Sequence, residues 1–206
     1  MREDNDRPRT KPPEERRIEL MDAAERLFLK QGVGATTIEQ ITAKADVAKG
    51  TFYLYFSSKE DVRAALGDRF AQKHLHEIKH SIAKIPNAGW KEKLATWIRA
   101  SVTFYLDSIR LHDMLFYESR APTRQGLVDN VVIDHLSELL EAGATAKAWS
   151  VESPRSTAVF LFSGIHAAVD DVYTKEKHVN RNRLLHTLEQ LCFATHGLMP
   201  AKSAPR

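Results

Sequence analysis

Five residues within one seven-residue stretch, Lys49, Gly50, Thr51, Tyr53 and Tyr55, carry the side-chain chemistry most open to a partner. Lysine can reach O6 and N7 of guanine, threonine can bond a base edge or touch a thymine methyl, and tyrosine hydroxyls can bond phosphate oxygens. Gly50 costs about 1 kcal/mol of helix propensity relative to alanine, which suggests a positional reason: its missing side chain permits close backbone approach. Thr37 and Lys59 stand at predicted helix starts on either side, where backbone amides and the positive dipole end favour phosphate. This chemistry binds rather than reacts. There is no nucleophile with a matched base and no phosphate-cradling glycine loop, and no catalytic set is expected. His76 with His80 and His166 with Asp170 have i, i+4 chelating spacing, but neither pair has a third ligand nearby in sequence, so no metal or other cofactor is expected.

The elements that must hold these residues are short helices. Leu20, Ala23, Ala24, Leu27 and Phe28 recur at helical spacing and predict an amphipathic helix from Glu14 that Gly32 closes. Thr36 as N-cap with Glu39 reaching back predicts a second helix over Thr37 to Ala45. Its inner face is Ile38, Ile41, Thr42 and Ala45. Asp46, Val47 and Ala48 form a three-residue turn plugged by Val47, and Lys49 to Tyr55 form a third helix anchored on the first by Phe52 and Phe56. Two short helices joined by such a turn are what a helix-turn-helix requires, the second lying in the major groove.

Ser57 with Glu60, or Ser58 with Asp61, caps a long helix in which Val62, Leu66, Phe70, Ile78, Ile82 and Ile85 face inward, and Pro86 to Gly89 end it. Further helical patterns cover Trp90 to Leu106, Ile109 to Ser119, Thr123 to Ala146, Pro154 to Tyr173 and Asn180 to His196. No convincing strand alternation appears, so the expected class is all-α. The expected organisation is a disordered arm over 1–13, a DNA-binding domain over 14–57, a ligand-binding and dimerisation domain over 58–200 and a disordered tail over 201–206. Arg7, Arg9 and Lys11 of the arm could enter a minor groove, or, diluted by Glu3, Asp4 and Asp6, form a solvated tail.

The chain has 206 residues and a formal net charge of +3, with a pI near 8.9, too mild to establish a nucleic-acid partner alone. Residues 1–60 hold eleven lysines and arginines against eleven acids. Placement therefore matters more than bulk charge: Lys44, Lys49 and Lys59 face one acid, Asp46, between residues 42 and 59. No run approaches the roughly 20 apolar residues a membrane span needs, and the charged N-terminus is not signal-like, so a cytoplasmic protein is expected. The lone Cys192 among leucines reads as a buried thiol.

The run TTIEQITAKADVAKGTFYLYFSSKED, with AAERLFLKQGVGATT before it, resembles the DNA-binding domain of the tetracycline-repressor (TetR) family over residues 15 to 63. The resemblance implies DNA contact by Thr37, Lys49, Gly50, Thr51, Tyr53, Tyr55 and Lys59. Two residues depart from the family pattern. Asp46 replaces the usual turn glycine, and aspartate can enter a left-handed turn. Ala48 replaces a frequent cap serine, so nothing is carried over to that position.

Ten of the seventeen aromatic residues lie between Trp90 and Tyr173. They fit core packing individually and, as a set, the apolar effector cavity that the resemblance implies. The candidates chosen by chemistry are Trp97, Phe104, Tyr105, Phe116, Tyr117, His135, Phe162 and His166. Ala158, Ser163, Gly164, Ala167 and Ala168, with the leucine-rich last helix, could supply half of the intermolecular four-helix bundle implied for the family's homodimers. The expectation is a regulator, most simply a repressor released from a palindromic operator when an apolar or amphipathic effector shifts the long helix. An all-helical enzyme using the aromatic cavity and a ligand-independent DNA binder are the alternatives.

Overall fold

The computed structural model describes residues 12–117 and 130–194. Arg7, Arg9, Lys11, all but the last two residues of the expected arm, the start of the helix expected from Thr123, and the expected tail lie outside them. The described residues form helices and no strand: α1 (Pro13–Ala35), α2 (Ile38–Lys44), α3 (Lys49–Tyr53), α4 (Lys59–Ala83), α5 (Trp90–Asp107), α6 (Ile109–Phe116), α7 (Val131–Thr145), α8 (Pro154–Lys175) and α9 (Arg181–Ala194). The class is all-α. No helix among them is long and apolar enough to cross a membrane.

These residues fall into two compact units, one of residues 12–69 with 110–117 and one of residues 70–109 with 130–194. In the first, α1 begins with proline at its first turn, where a missing N–H is harmless, followed by Glu14 and Glu15 at the positive dipole end. The helix is interrupted where expected: Gly32 has φ 80°, a conformation open to glycine because it has no Cβ. Leu20, Ala23, Ala24 and Phe28 are buried. Arg69 of α4 donates to Asp22 at 2.6 Å and Glu25 at 2.7 Å, a forked clamp on α1. Arg63 donates to the Leu115 carbonyl of α6, and the Phe116 ring lies where a Cβ on Gly67 would approach to 3.4 Å.

In the second unit Leu94, Trp97, Ile98, Ile133, Leu136, Leu140, Ala158, Leu161 and Ile165 are buried in one apolar cluster drawn from α5, α7 and α8. Ser153 caps α8 by accepting from Ser156 N, ahead of Pro154 at the first helical position, as its sequence predicts. The end of α7 is a Schellman motif: the amide of Ala148 donates to the Gly143 carbonyl and that of Lys147 to the Ala144 carbonyl. Lys147 holds the left-handed position with φ 60°. Trp149 then folds back, its indole N–H on the Leu140 carbonyl at 2.8 Å.

Candidate nucleic-acid interface

The turn between α2 and α3 follows from two hydrogen bonds. Asp46 N donates to Ala43 O and Val47 N to Thr42 O, again the Schellman pair, with Asp46 at φ 53°. Aspartate thus occupies the left-handed position, as its type allows. Ile41 and Thr42 are buried on the inner side of α2, and Phe52 and Phe56 are buried beyond the turn, with the Arg17 guanidinium of α1 over the Phe56 ring at 5.3 Å. Ala48 precedes α3 with no side-chain cap bond.

The cap of α2 lies one residue later than its sequence predicts. Thr37, not Thr36, accepts from Gln40 N, and the Gln40 side chain accepts from Thr37 N, a complete capping box. Thr36 is buried and its hydroxyl donates to the Gly32 carbonyl at 2.8 Å, which removes it from capping. Glu39, released from that task, meets Lys49 at 2.5 Å. At the start of α4 the second predicted alternative forms, with Ser58 accepting from Asp61 N and the Asp61 carboxylate accepting from Ser57 N.

The outward row consists of Thr37, Lys49, Gly50 and Tyr53, all exposed, with Thr51 and Tyr55 half-buried. α3 ends at Tyr53, and the turn bonds Leu54 N to Thr51 O and Tyr55 N to Phe52 O rotate the following residues. Tyr55 turns partly inward, and Leu54 is left 78% exposed. Sequence reasoning missed Leu54 because it treated the helix as continuing to Tyr55. An apolar side chain that finds no burial place beside this row was the available signal. Nothing within 4 Å would meet a Cβ on Gly50, so its bareness answers no internal packing need.

Lys59 has a task its sequence position did not disclose. Its ammonium donates to the carbonyls of Val33, Gly34 and Thr36 at 2.8, 3.2 and 2.6 Å. These carbonyls lie where α1 ends; that of Val33 also accepts from Thr36 N at 3.2 Å. In this structure Lys59 ties the end of α1 to the start of α4 rather than facing outward as an open phosphate donor.

The family model for bacterial regulatory proteins of the tetR family matches residues 20–66, which contain the whole helix-turn-helix. Over residues 20–66 the chain is similar to the DNA-binding part of the tetR family. It is 29% identical over 107 residues to the HTH-type transcriptional regulator TtgR of Pseudomonas putida, covering 51% of each chain. It shares its fold with the fatty acid degradation regulator FadR of Bacillus halodurans, at a TM-score of 0.68 and 24% identity over 94% of this chain and all of that one. It also shares it with SmeT, the repressor of the Stenotrophomonas maltophilia multidrug efflux pump SmeDEF, at 0.68 and 20% over 92% and 96%; SmeT has also been solved with triclosan. The chain spans about half or less of the length of the first curated relatives it matches.

The eight aromatic and histidine candidates are divided between the two compact units. Phe116 and Tyr117 are exposed and belong to the compact unit that contains the helix-turn-helix, and the other six belong to the second unit. Trp97 and Tyr105 are fully buried in the second unit, and the Tyr105 hydroxyl donates to Asp170 at 2.5 Å. His166 lies against the Tyr105 and Phe162 rings at 4.6 and 4.1 Å, and its Nδ1 meets the Phe162 carbonyl. Phe104 stacks on His74 at 4.7 Å and borders an open groove of about 480 Å³ whose other lining includes Glu77, Arg99 and Asp107. Trp97 Nε1 and His135 Nδ1 are buried without a hydrogen-bond partner among the described residues. Burial first, then nearby Lys79, pushes the His135 imidazole below its ordinary range, so it is neutral at pH 7. Among the described residues no three His, Cys, Asp or Glu side chains gather as a metal site.

Proposed function

We propose that this chain is a cytoplasmic, homodimeric transcriptional repressor that binds a palindromic operator through α2 and α3 and is released by an apolar or amphipathic effector. The carrying observation is the helix-turn-helix itself, with the capping box at Thr37 and the row Lys49, Gly50, Thr51, Tyr53 and Tyr55 at the reading helix. In this proposal Lys49 and Thr51 address base edges, Gly50 admits close approach, and Thr37 and the tyrosines hold phosphates. Lys59 contributes to binding by positioning the start of α4.

The body supports the two remaining parts. Along α8, Phe160, Ser163, Gly164 and Ala167 are exposed on one face, and Leu191 of α9 is 53% exposed. Nothing within 4 Å would meet a Cβ on Gly164. Small and apolar residues on such a face let another helix approach closely, and a two-fold dimer would set the reading helices about 34 Å or a multiple apart. For the effector, the Trp97 indole N–H, buried and without a partner among the described residues, would orient a molecule carrying a hydrogen-bond acceptor, and the neutral His135 Nδ1 would take a donor or an acceptor according to its tautomer. An unmet buried polar group costs about 1 to 3 kcal/mol, which such a ligand would recover. Triclosan, which SmeT binds, is a ligand of this general kind. The chain acts by binding alone, with no turnover of the effector.

A fluorescence anisotropy titration of the full chain against duplexes from the region upstream of its own gene, with and without triclosan and other lipophilic compounds, tests the reading. The expected result is one or more tightly bound palindromic fragments and a loss of affinity of about 5- to 150-fold with an effective compound. Lys49→Ala and Tyr53→Ala should abolish specific binding and leave dimerisation unchanged. Retention of operator affinity by both variants would overturn the site, and operator affinity unmoved by a compound that binds the body would overturn the switch.

A further inference from the structure

Glu39 is the one acidic side chain on α2, and it stands in the first turn of that helix, two residues after the exposed Thr37. Its carboxylate meets the Lys49 ammonium at 2.5 Å while both side chains remain more than half exposed. The pair therefore sits on the surface that carries the outward row, and its bond links the first turn of α2 to the first residue of α3. An exposed ion pair of this kind adds little to folding, so stability does not account for an acid at this place. A carboxylate beside a DNA backbone repels it, and residues 1–60 already carry as many acids as bases. The Lys49 hydrogen bond, ahead of the backbone, holds the Glu39 carboxyl down at about 2, so the pair is fully ionised at every physiological pH.

Held together, the two side chains offer one donor group and one acceptor group side by side. In the major groove guanine shows the acceptors O6 and N7, and its paired cytosine shows the N4 amine, a donor. An ammonium matches the first and a carboxylate the second. Phosphate, which is acceptor only, matches the ammonium alone and must take it from Glu39.

We propose that Glu39 is a specificity-determining residue that holds Lys49 back from phosphates and, with it, reads a G·C pair in the operator. This rests on the proposed DNA-binding function. Sequence-independent binding is weakened, because Lys49 must abandon its partner to reach a phosphate. Binding to the matched base pair is spared, because the cytosine amine takes the place of the ammonium on Glu39 as the ammonium moves to guanine.

The test compares the full-length chain with Glu39→Gln, Lys49→Ala and the double variant. The probe is a 30-base-pair duplex of random sequence, titrated from 0.05 to 0.3 M NaCl, followed by selection from a randomised duplex pool. Glu39→Gln is expected to bind the random duplex about 5- to 10-fold more tightly at 0.1 M salt and to steepen the salt slope by about 1, the signature of one added phosphate contact. The double variant should lose that gain, and the pool selected by Glu39→Gln should lose a G·C preference present in the wild-type pool. Unchanged affinity and slope in Glu39→Gln would overturn the proposal. So would a gain that survives in the double variant, since it would come from charge removal without Lys49, or selected pools that agree at every G·C position. Failure of all four proteins to bind any duplex would instead overturn the DNA-binding reading.

Discussion

The ammonium of Lys59 donates to the carbonyl oxygen of Thr36 across 2.6 Å, joining the first turn of α4 to the C-cap of α1. Together with its bonds to Gly34 and to Val33, whose carbonyl also accepts from Thr36 N, this gives partners to the carbonyls at the end of α1. Lys59→Met should therefore unfold more easily. The expected loss is about 1 to 2 kcal/mol, the lower part of the range for bonds to a charged donor because the site is only half-buried. Circular dichroism should show a thermal midpoint lower by about 2 to 8 °C. DNA affinity should fall with the salt slope unchanged. A slope reduced by about 1 at unchanged stability would make Lys59 a phosphate contact instead.

Asp46 and Lys147 occupy the same position in two Schellman motifs, and each bears a Cβ at positive φ. The left-handed region costs a residue with a side chain about 1 kcal/mol relative to glycine, partly offset by the greater freedom glycine gives the unfolded chain. Asp46→Gly and Lys147→Gly should each raise the urea midpoint, by a stability of about 0.5 to 1 kcal/mol, with the slope of the transition unchanged. A decrease for Asp46→Gly would show that the aspartate side chain makes a turn contact worth more than the strain.

These two positions also mark how far the sequence could be read. Asp46 was legible, because its turn is bounded by two short amphipathic patterns and aspartate is one of the few types that tolerates positive φ. Lys147 was not, since lysine signals no turn and only the bonds of Ala148 and Lys147 reveal it. The helices were legible from spacing, and so was the core of the head at Ile41, Phe52 and Phe56. Charge partners are not legible: the spacing makes Glu39 the far half of a capping box, whereas Thr36 bonds to Gly32, and it places Lys59 at a helix start that favours phosphate, whereas its ammonium lies on three carbonyls. Aromatic type alone could not separate Phe116 and Tyr117 from Trp97, because the division depends on which compact unit α6 joins.

Gly143 is buried in α7, and a Cβ there would lie 2.0 Å from the Trp149 ring. Propensity alone would favour alanine in a helix by about 1 kcal/mol. Packing decides the other way: Trp149 is buried and tied to the Leu140 carbonyl, so its ring has no free route aside. Gly143→Ala should destabilise the protein by about 1 to 3 kcal/mol, as overpacking does, and should shift Trp149 fluorescence toward that of an exposed indole. Gly164→Ala is the control. With nothing in reach of its Cβ, that variant should gain stability as a monomer, while any loss of dimer affinity would locate the partner's helix.

Cys192 supplies a prediction with a defined pH window. Burial, and secondarily the charge of Glu189, pushes its thiol from 9.0 up to about 11. At pH 8 only about a thousandth of the native protein carries the thiolate, the reactive form. A disulfide reagent should therefore modify native Cys192 far more slowly than the urea-unfolded chain. The same shift acts on stability. The native thiol keeps its proton where the unfolded one has lost it, so the contribution is complete below pH 9, declines as pH rises, and is gone above about 11. Cys192→Ala lacks this dependence. Between pH 9 and 11 the wild type should lose about 2 to 3 kcal/mol more than the variant, with urea midpoints as the measure. Equal losses in both proteins would mean that the thiolate is solvated in the folded state, and that α9 opens around Cys192 more readily than its burial implies.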